Sequence, residues 1–262
     1  MRGLESVCLR GKQNVRRFFI ERMAGKDGLV PIRGTEARHM AKVLRMAPGD
    51  GLVVMDRDGK RFSARIKTIH PKEVWVALGS PLPSPPPSPV RIALCQALLK
   101  SKNMDYLIQK TSELGIHALF PCLTARTVVR PHPRGLENKM AHWRQIARSS
   151  AKQCNRDKPI RIGSLRSFEQ NMDRWQADPV FKVILWEQES SRDLKSLLRE
   201  SAPAHDLIAV VGPEGGFTRD EIASALEAGF STASLGDRIL RAETAAVAVS
   251  TIFQYEWGDL GK

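Results

Sequence analysis

The stretch Leu207-Ile208-Ala209-Val210-Val211-Gly212-Pro213-Glu214-Gly215-Gly216-Phe217-Thr218 decides the fold. It opens with five consecutive apolar residues, and a run without alternation suits a strand buried on both faces of a parallel sheet. Glycine and proline then break the run. Thr218 with Glu221 forms a capping box that starts a helix, which Gly229 can close. A strand, a glycine-rich turn and a helix make the unit of an open α/β sheet, whose ligands sit beyond the carboxyl ends of the strands. Glycines in that turn let the backbone approach a ligand without a Cβ in the way. The turn lacks the Gly-Lys-Ser/Thr ending of a P-loop and the spacing of a dinucleotide fingerprint. By itself it also reads as a tight strand-to-helix connection.

The same alternation extends through residues 90–262. Arg91 to Ala97 and His117 to Leu123 read as strands. Between them Asn103 is expected to cap a helix with Met104, Leu107, Ile108, Thr111 and Leu114 at helical spacing and Gly115 past its end. Leu136, Met140, Trp143 and Ala147 stripe a second helix to about Cys154, and Phe181 to Trp186 is another buried strand. Ala233 to Gly236 is expected as a last short strand and Glu243 to about Trp257 as a last helix, apolar nearly all round. Between those two lies a second motif, Leu235-Gly236-Asp237-Arg238-Ile239-Leu240-Arg241-Ala242-Glu243-Thr244-Ala245-Ala246. Ile239 and Leu240 are odd in a solvated loop but suit the wall of a pocket for a flat ring. Arg241 and Glu243 bring both charge signs to its mouth, or form an internal salt bridge.

Residues 81–89 hold six prolines in nine positions, which excludes a helix or a central strand and marks a semi-rigid linker. Ahead of it, residues 16–80 are β-rich. Phe18 to Ile20, Gly51 to Met55, Phe62 to Ile66 and Glu73 to Leu78 read as strands, with Asp56-Arg57-Asp58-Gly59 as a hairpin turn. One helix is expected from Thr35, as cap, to Leu44, with Arg38, His39, Lys42 and Arg45 along it. This front part reads as a small β-barrel with a basic helix.

The 262 residues carry 41 Lys plus Arg against 28 Asp plus Glu, a net charge of +13, and 42% are hydrophobic. Global disorder is excluded, and the default partner is a polyanion, either nucleic acid or an acidic membrane surface. Residues 1–90 hold 17 of the basic and 8 of the acidic side chains, so most of the surplus lies in the front third. Cys8, Cys95, Cys122 and Cys154 form no Cys-x-x-Cys pair and the histidines do not cluster, so no metal site is expected. No apolar run approaches a membrane span and Met1 to Arg17 lacks the apolar core of a signal peptide. A cytoplasmic chain with reduced thiols follows.

Five segments together carry a family resemblance. They are Arg16-Arg17-Phe18-Phe19, His39-Met40-Ala41-Lys42-Val43-Leu44-Arg45, Met104 to Gly115, Val211 to Gly216 and Leu235 to Ala245. In this order they resemble the RsmE-type 16S ribosomal RNA (uracil-N3) methyltransferases of the SPOUT superfamily. The resemblance implies an α/β fold with an N-terminal PUA-like RNA-binding barrel and a C-terminal SPOUT domain with a parallel sheet and a deep trefoil knot. It also implies a homodimer through the C-terminal domain, and S-adenosylmethionine bent among three loops: Leu185-Trp186-Glu187, Val211-Gly212-Pro213-Glu214-Gly215-Gly216 and Leu235 to Ala245. In the third loop Leu235, Gly236, Ile239, Leu240, Arg241, Thr244 and Ala245 would line the donor, with Ile239 and Leu240 on the adenine.

The implied reaction is methylation of N3 of a uridine in small-subunit ribosomal RNA. Arg241 would steady charge on a uracil oxygen, and Glu243 would act as base or hold Arg241. Arg16, Arg17, Arg38, Lys42 and Arg45 from the barrel, with Arg126 and Arg130 from the catalytic domain, would grip phosphates. A methyltransferase for another RNA position, or a non-catalytic ribosome-assembly factor, is the alternative. Lys152 stands where the family has an acid, and Thr127 where it usually has serine. Residues 1–15 lie outside the family pattern. Val15 occupies the place of the usual first Met, so translation is expected to start there from a GUG codon.

Overall fold

The computed structural model describes residues 16–20 and 28–261, apart from the Pro133 side chain. The extension 1–15, the expected start at Val15 and Cys8 lie outside them. Two compact units meet between Pro85 and Pro86.

The front unit contains β1 (Arg17–Phe19), β2 (Leu29–Arg33), α1 (Gly34–Arg38), β3 (Gly51–Met55), β4 (Arg61–His70) and β5 (Glu73–Leu82). They form one sheet in the order β1-β3-β4-β5-β2, with β1 parallel to β3 and the other pairs antiparallel. Its inward side chains, Phe18, Val30, Ile32, Leu52, Val54, Ile66, Val74 and Val76, alternate along their strands and meet α1 at Ala37. Irregularities at Phe62/Ala64 and Ile66/Thr68 bend the long β4–β5 pair. The β3–β4 hairpin turns where Asp56 Oδ1 accepts the amides of Asp58 and Lys60.

Two details depart from the expected pattern. Thr35 is not a cap: β2 pairs with β5 as far as Arg33↔Glu73, where Arg33 and Glu73 form an ion pair at 2.6 Å. The chain therefore turns into the helix at Gly34, and Thr35 is an exposed residue of its first turn. After Arg38 the helix widens into a π-helical turn, His39–Val43, with Leu44 N–H reaching the His39 carbonyl. The second departure is that β5 continues through Pro81 to Leu82. There β5 has lost β2 as a neighbour and pairs with β4 alone, at Phe62↔Pro81, so Pro81 stands at a sheet edge, where proline is tolerated.

The second unit contains β6 (Arg91–Ala97), α2 (Ser101–Glu113), β7 (Ala118–Leu123), α3 (Pro133–Gln153), β8 (Arg161–Ile162) and β9 (Arg166–Ser167). It continues with α4 (Phe168–Trp175), β10 (Phe181–Leu185), α5 (Leu194–Glu200), β11 (Asp206–Val211), α6 (Arg219–Glu227), β12 (Ser231–Ala233) and α7 (Ala242–Glu256). The seven strands form a parallel sheet in the order β12-β10-β11-β6-β7-β8, with β9 also on β7. Alternate residues feed two cores. Leu207, Ala209 and Val211 pack with α2, α3, α5 and α7, while Ile208 and Val210 pack with α4 and α6. Burial on both faces explains the unbroken apolar runs.

Asn103 is not the cap of α2. The Lys100 carbonyl takes the amides of Asn103 and Met104, so the helix starts earlier, at Ser101. The expected strand Ala233 to Gly236 lies earlier too. β12 is Ser231–Ala233, and beyond it Ser234 is diverted into hydrogen bonds with Arg192 and Leu194. β2, β8, β9, α4 and α5 have no counterpart in the sequence reading. Cys95 and Cys122 are buried free thiols and Cys154 is a half-buried one. Among the described residues no helix is long and apolar enough to cross a membrane, and no group of His, Cys, Asp or Glu is placed to hold a metal.

Candidate functional site

β12, β10 and β11 are neighbours and parallel, so the segments following them leave one edge of the sheet together. These are the three loops expected from the sequence. Leu185 is buried, Trp186 half-buried and Glu187 exposed. The Trp186 amide donates to the Ala233 carbonyl at 3.0 Å, which ties the first loop to the end of β12. Glu189 makes a second tie: its Oε1 accepts from the Ser191 amide and hydroxyl and its Oε2 from Thr232 Oγ1 at 2.6 Å. Hydrogen bonds from Ser191, first, and Thr232 hold its carboxyl far below the usual range, at about 2.

In the second loop Val211 and Pro213 are buried, Gly212 and Gly216 half-buried, and Glu214 and Gly215 exposed. All three glycines have their Cβ space taken. A Cβ on Gly212 would come within 3.0 Å of the Phe217 ring, one on Gly215 within 3.2 Å of Arg126 Cβ, and one on Gly216 would overlap the Glu187 carboxylate. Gly216 also runs at φ +70°, a left-handed conformation that side chains disfavour.

Two side chains anchor this loop from outside. Gln96, fully buried at the end of β6, donates Nε2 to the carbonyls of Ala97, Val211 and Gly212. Arg126 donates Nη1 to the Gly215 carbonyl at 2.9 Å. Glu221 fastens the arrangement. Its Oε2 accepts the Thr218 amide in the capping box, while Oε1 accepts the Ala125 amide at 2.8 Å, next to Arg126. Thr127 is buried, and its Oγ1 accepts the Thr124 amide at 2.9 Å in the same loop.

In the third loop Leu235 and Leu240 are half-buried, Gly236 is exposed and Ile239 is 86% exposed. Arg241 is the exposed N-cap residue of α7, Thr244 is exposed and Ala245 half-buried. Glu243 sits in the first turn of α7, only 9% exposed, and its Oε2 has no partner. Among the described residues no ion pair joins Arg241 to Glu243. Buried carboxylate oxygens are normally satisfied, which singles Glu243 out as a candidate site residue. The Trp186 Nε1 donor and the Gln96 Oε1 acceptor are buried and unpartnered as well.

Of the residues expected to grip RNA, Arg16, Arg38, Lys42 and Arg45 are exposed and Arg17 is half-buried. Arg16 donates to the Leu44 carbonyl at 3.3 Å, which places it beside the segment carrying Lys42 and Arg45. In the second unit Arg130 is exposed, whereas Arg126 lies on the glycine loop. Gln96 and the far bond of Glu221 escaped the sequence reading. The signal for Gln96 was one amide in an otherwise apolar strand; Glu221 was visible only as a cap.

An α/β unit whose glycine loops cluster at the carboxyl ends of a parallel sheet, following a smaller β unit, defines a two-unit enzyme architecture. Residues 86–254 match the family model described as RNA methyltransferase domain, and residues 32–78 match RNA methyltransferase PUA domain. This chain belongs to that RNA methyltransferase family, and the resemblance read from the sequence is borne out. A Bacillus subtilis relative, ribosomal RNA small subunit methyltransferase E, is 28% identical over 92% of this chain and 97% of its own length. A Legionella pneumophila methyltransferase solved with bound cofactor SAM is 30% identical, with TM-score 0.86 over 94% of this chain and 99% of that one. The Neisseria gonorrhoeae ribosomal RNA small subunit methyltransferase E, solved with S-adenosyl methionine, is 28% identical, with TM-score 0.86 over the same shares.

Proposed function

We propose that the chain methylates N3 of one uridine in 16S ribosomal RNA, using S-adenosylmethionine held among the three loops. The carrying observation is that each of the three neighbouring segments bears or bonds a buried atom without a partner: Trp186 Nε1 after β10, Gln96 Oε1 against the glycine loop and Glu243 Oε2 at the start of α7. The exposed Ile239 with half-buried Leu240 suits a flat adenine. The residues present therefore fit the donor, which when bound supplies an electrophilic methyl on a sulfonium.

The chain's own residues do the rest. Arg241, exposed at the start of α7, steadies negative charge on a uracil oxygen. Glu243, buried with a free oxygen and no bond to Arg241, accepts the N3 proton. The absence of that bond favours the base role over a role in holding Arg241. Positioning between fixed loops supplies much of the remaining acceleration.

The reading carries further parts. The three loops form a deep trefoil knot, a rare topology that strand order alone does not reveal. Two copies pair through the C-terminal unit. Half-buried Val247, Ala248 and Ile252 and the 70% exposed Tyr255 on α7 support such a face. Arg16, Arg17, Arg38, Lys42 and Arg45 hold phosphates from the PUA-like unit, with Arg126 and Arg130 from the other, on small-subunit RNA in the cytoplasm.

Calorimetric titration with S-adenosylmethionine tests the donor. Saturable one-site binding is expected, lost or much weakened in Gly216→Val. No binding by the wild type would favour a non-catalytic assembly factor. With the donor bound, full turnover in both Arg241→Ala and Glu243→Gln would remove their assigned roles.

A further inference from the structure

The loop after β10 carries two acids with different fates. Glu189 is committed to Ser191 and Thr232. Glu187, two residues earlier, is exposed and, among the described residues, has neither a hydrogen bond nor an ion pair. Its carboxylate lies where a Gly216 Cβ would be, with Cδ 3.0 Å from that position, so it fills the seam between the first and second loops. Arg126, a basic residue against the glycine loop, directs its guanidinium to the Gly215 carbonyl instead. The seam thus holds a carboxylate that, among the described residues, no cation pairs.

A sulfonium and the thioether left when its methyl has gone differ by one methyl and one positive charge. Charge is the larger difference, and a carboxylate beside the donor feels it over several ångströms. We infer that the Glu187 carboxylate reads the positive charge of the methyl donor, so that the site holds the sulfonium form more tightly than its neutral thioether product. The inference rests on the donor reading above and adds a consequence: loss of charge on sulfur weakens the hold on the spent molecule. Glu187 thereby sets specificity for the donor without touching the proton chemistry assigned to Glu243.

Paired titrations of the full chain with S-adenosylmethionine and S-adenosylhomocysteine test it. The wild type is expected to favour S-adenosylmethionine. Glu187→Gln, which keeps size but not charge, is expected to weaken that ligand roughly tenfold and to move S-adenosylhomocysteine by less than about twofold. Glu187→Asp, which keeps the charge, retains most of the preference and checks that the loop still folds. Equal weakening of both ligands would make Glu187 a packing residue or an ammonium contact, and would overturn the inference. So would unchanged binding of both, or a wild type without preference. A wild type that binds neither ligand removes the donor reading itself.

Discussion

Gly216 and Glu187 occupy one another's space, and the consequence is local and measurable. Gly216→Ala puts a side chain in a left-handed conformation and pushes the Glu187 carboxylate aside, so it should cost about 1–2 kcal/mol of stability, chiefly from the backbone, read by urea unfolding, and weaken donor binding. Glu189 gives a pH signature. Its folded value, about 2, lies below the ordinary 4.5, so its contribution is complete above about pH 4.5 and is lost as pH falls toward 2. The stability difference between wild type and Glu189→Gln should therefore shrink between pH 5 and 3, by denaturant midpoints at each pH; a constant difference contradicts the assignment. At this scale the sequence was informative where chemistry forces a residue type. Gly212, Gly215 and Gly216 stood out as glycines in a turn after a buried strand, and at Gly216 the left-handed backbone requires one. Gln96 and the Ala125 bond of Glu221 did not, because a pairing across 115 or 96 positions leaves no local trace.

Helix ends lock the elements of the second unit together. Lys182 on β10 donates Nζ to the carbonyls of Trp175, Gln176 and Ala228, closing the ends of α4 and α6 with one cation. Lys182→Met strands three acceptors and should cost about 1–3 kcal/mol in urea unfolding. Glu221→Ala removes a cap and an inter-loop tie together, so a loss of about 1–3 kcal/mol is expected, with weaker donor binding in calorimetry. The long elements were legible because their apolar spacing is strong: α2, α3, α7, β6, β10 and β11. The short ones were not. Ser167 and Gln170 form a capping box as clear as that of Thr218 and Glu221, but α4 behind it spans only eight residues. Pro31 hid β2, although Val30 and Ile32 alternate into the core.

For the molecule as a whole, the division of charge matters more than the total of +13. The front third holds most of the surplus, and its matched PUA domain carries Arg38, Lys42 and Arg45 exposed. RNA affinity should fall steeply with salt, and replacing these three by Glu should flatten the slope of log K against log salt by roughly three units. An unchanged slope would move the grip elsewhere. The α/β class and the place of the glycine turns after buried parallel strands were readable from the sequence. The proposed knot came only from the family resemblance, because chain threading leaves no mark on periodicity. The central claim is methylation of N3 of one uridine in small-subunit RNA, and mass-spectrometric mapping of 16S RNA from a deletion strain tests it most directly. One N3-methyluridine should vanish on deletion, return with the wild-type chain and stay absent with Arg241→Ala. A methylation pattern identical with and without the gene would contradict the account.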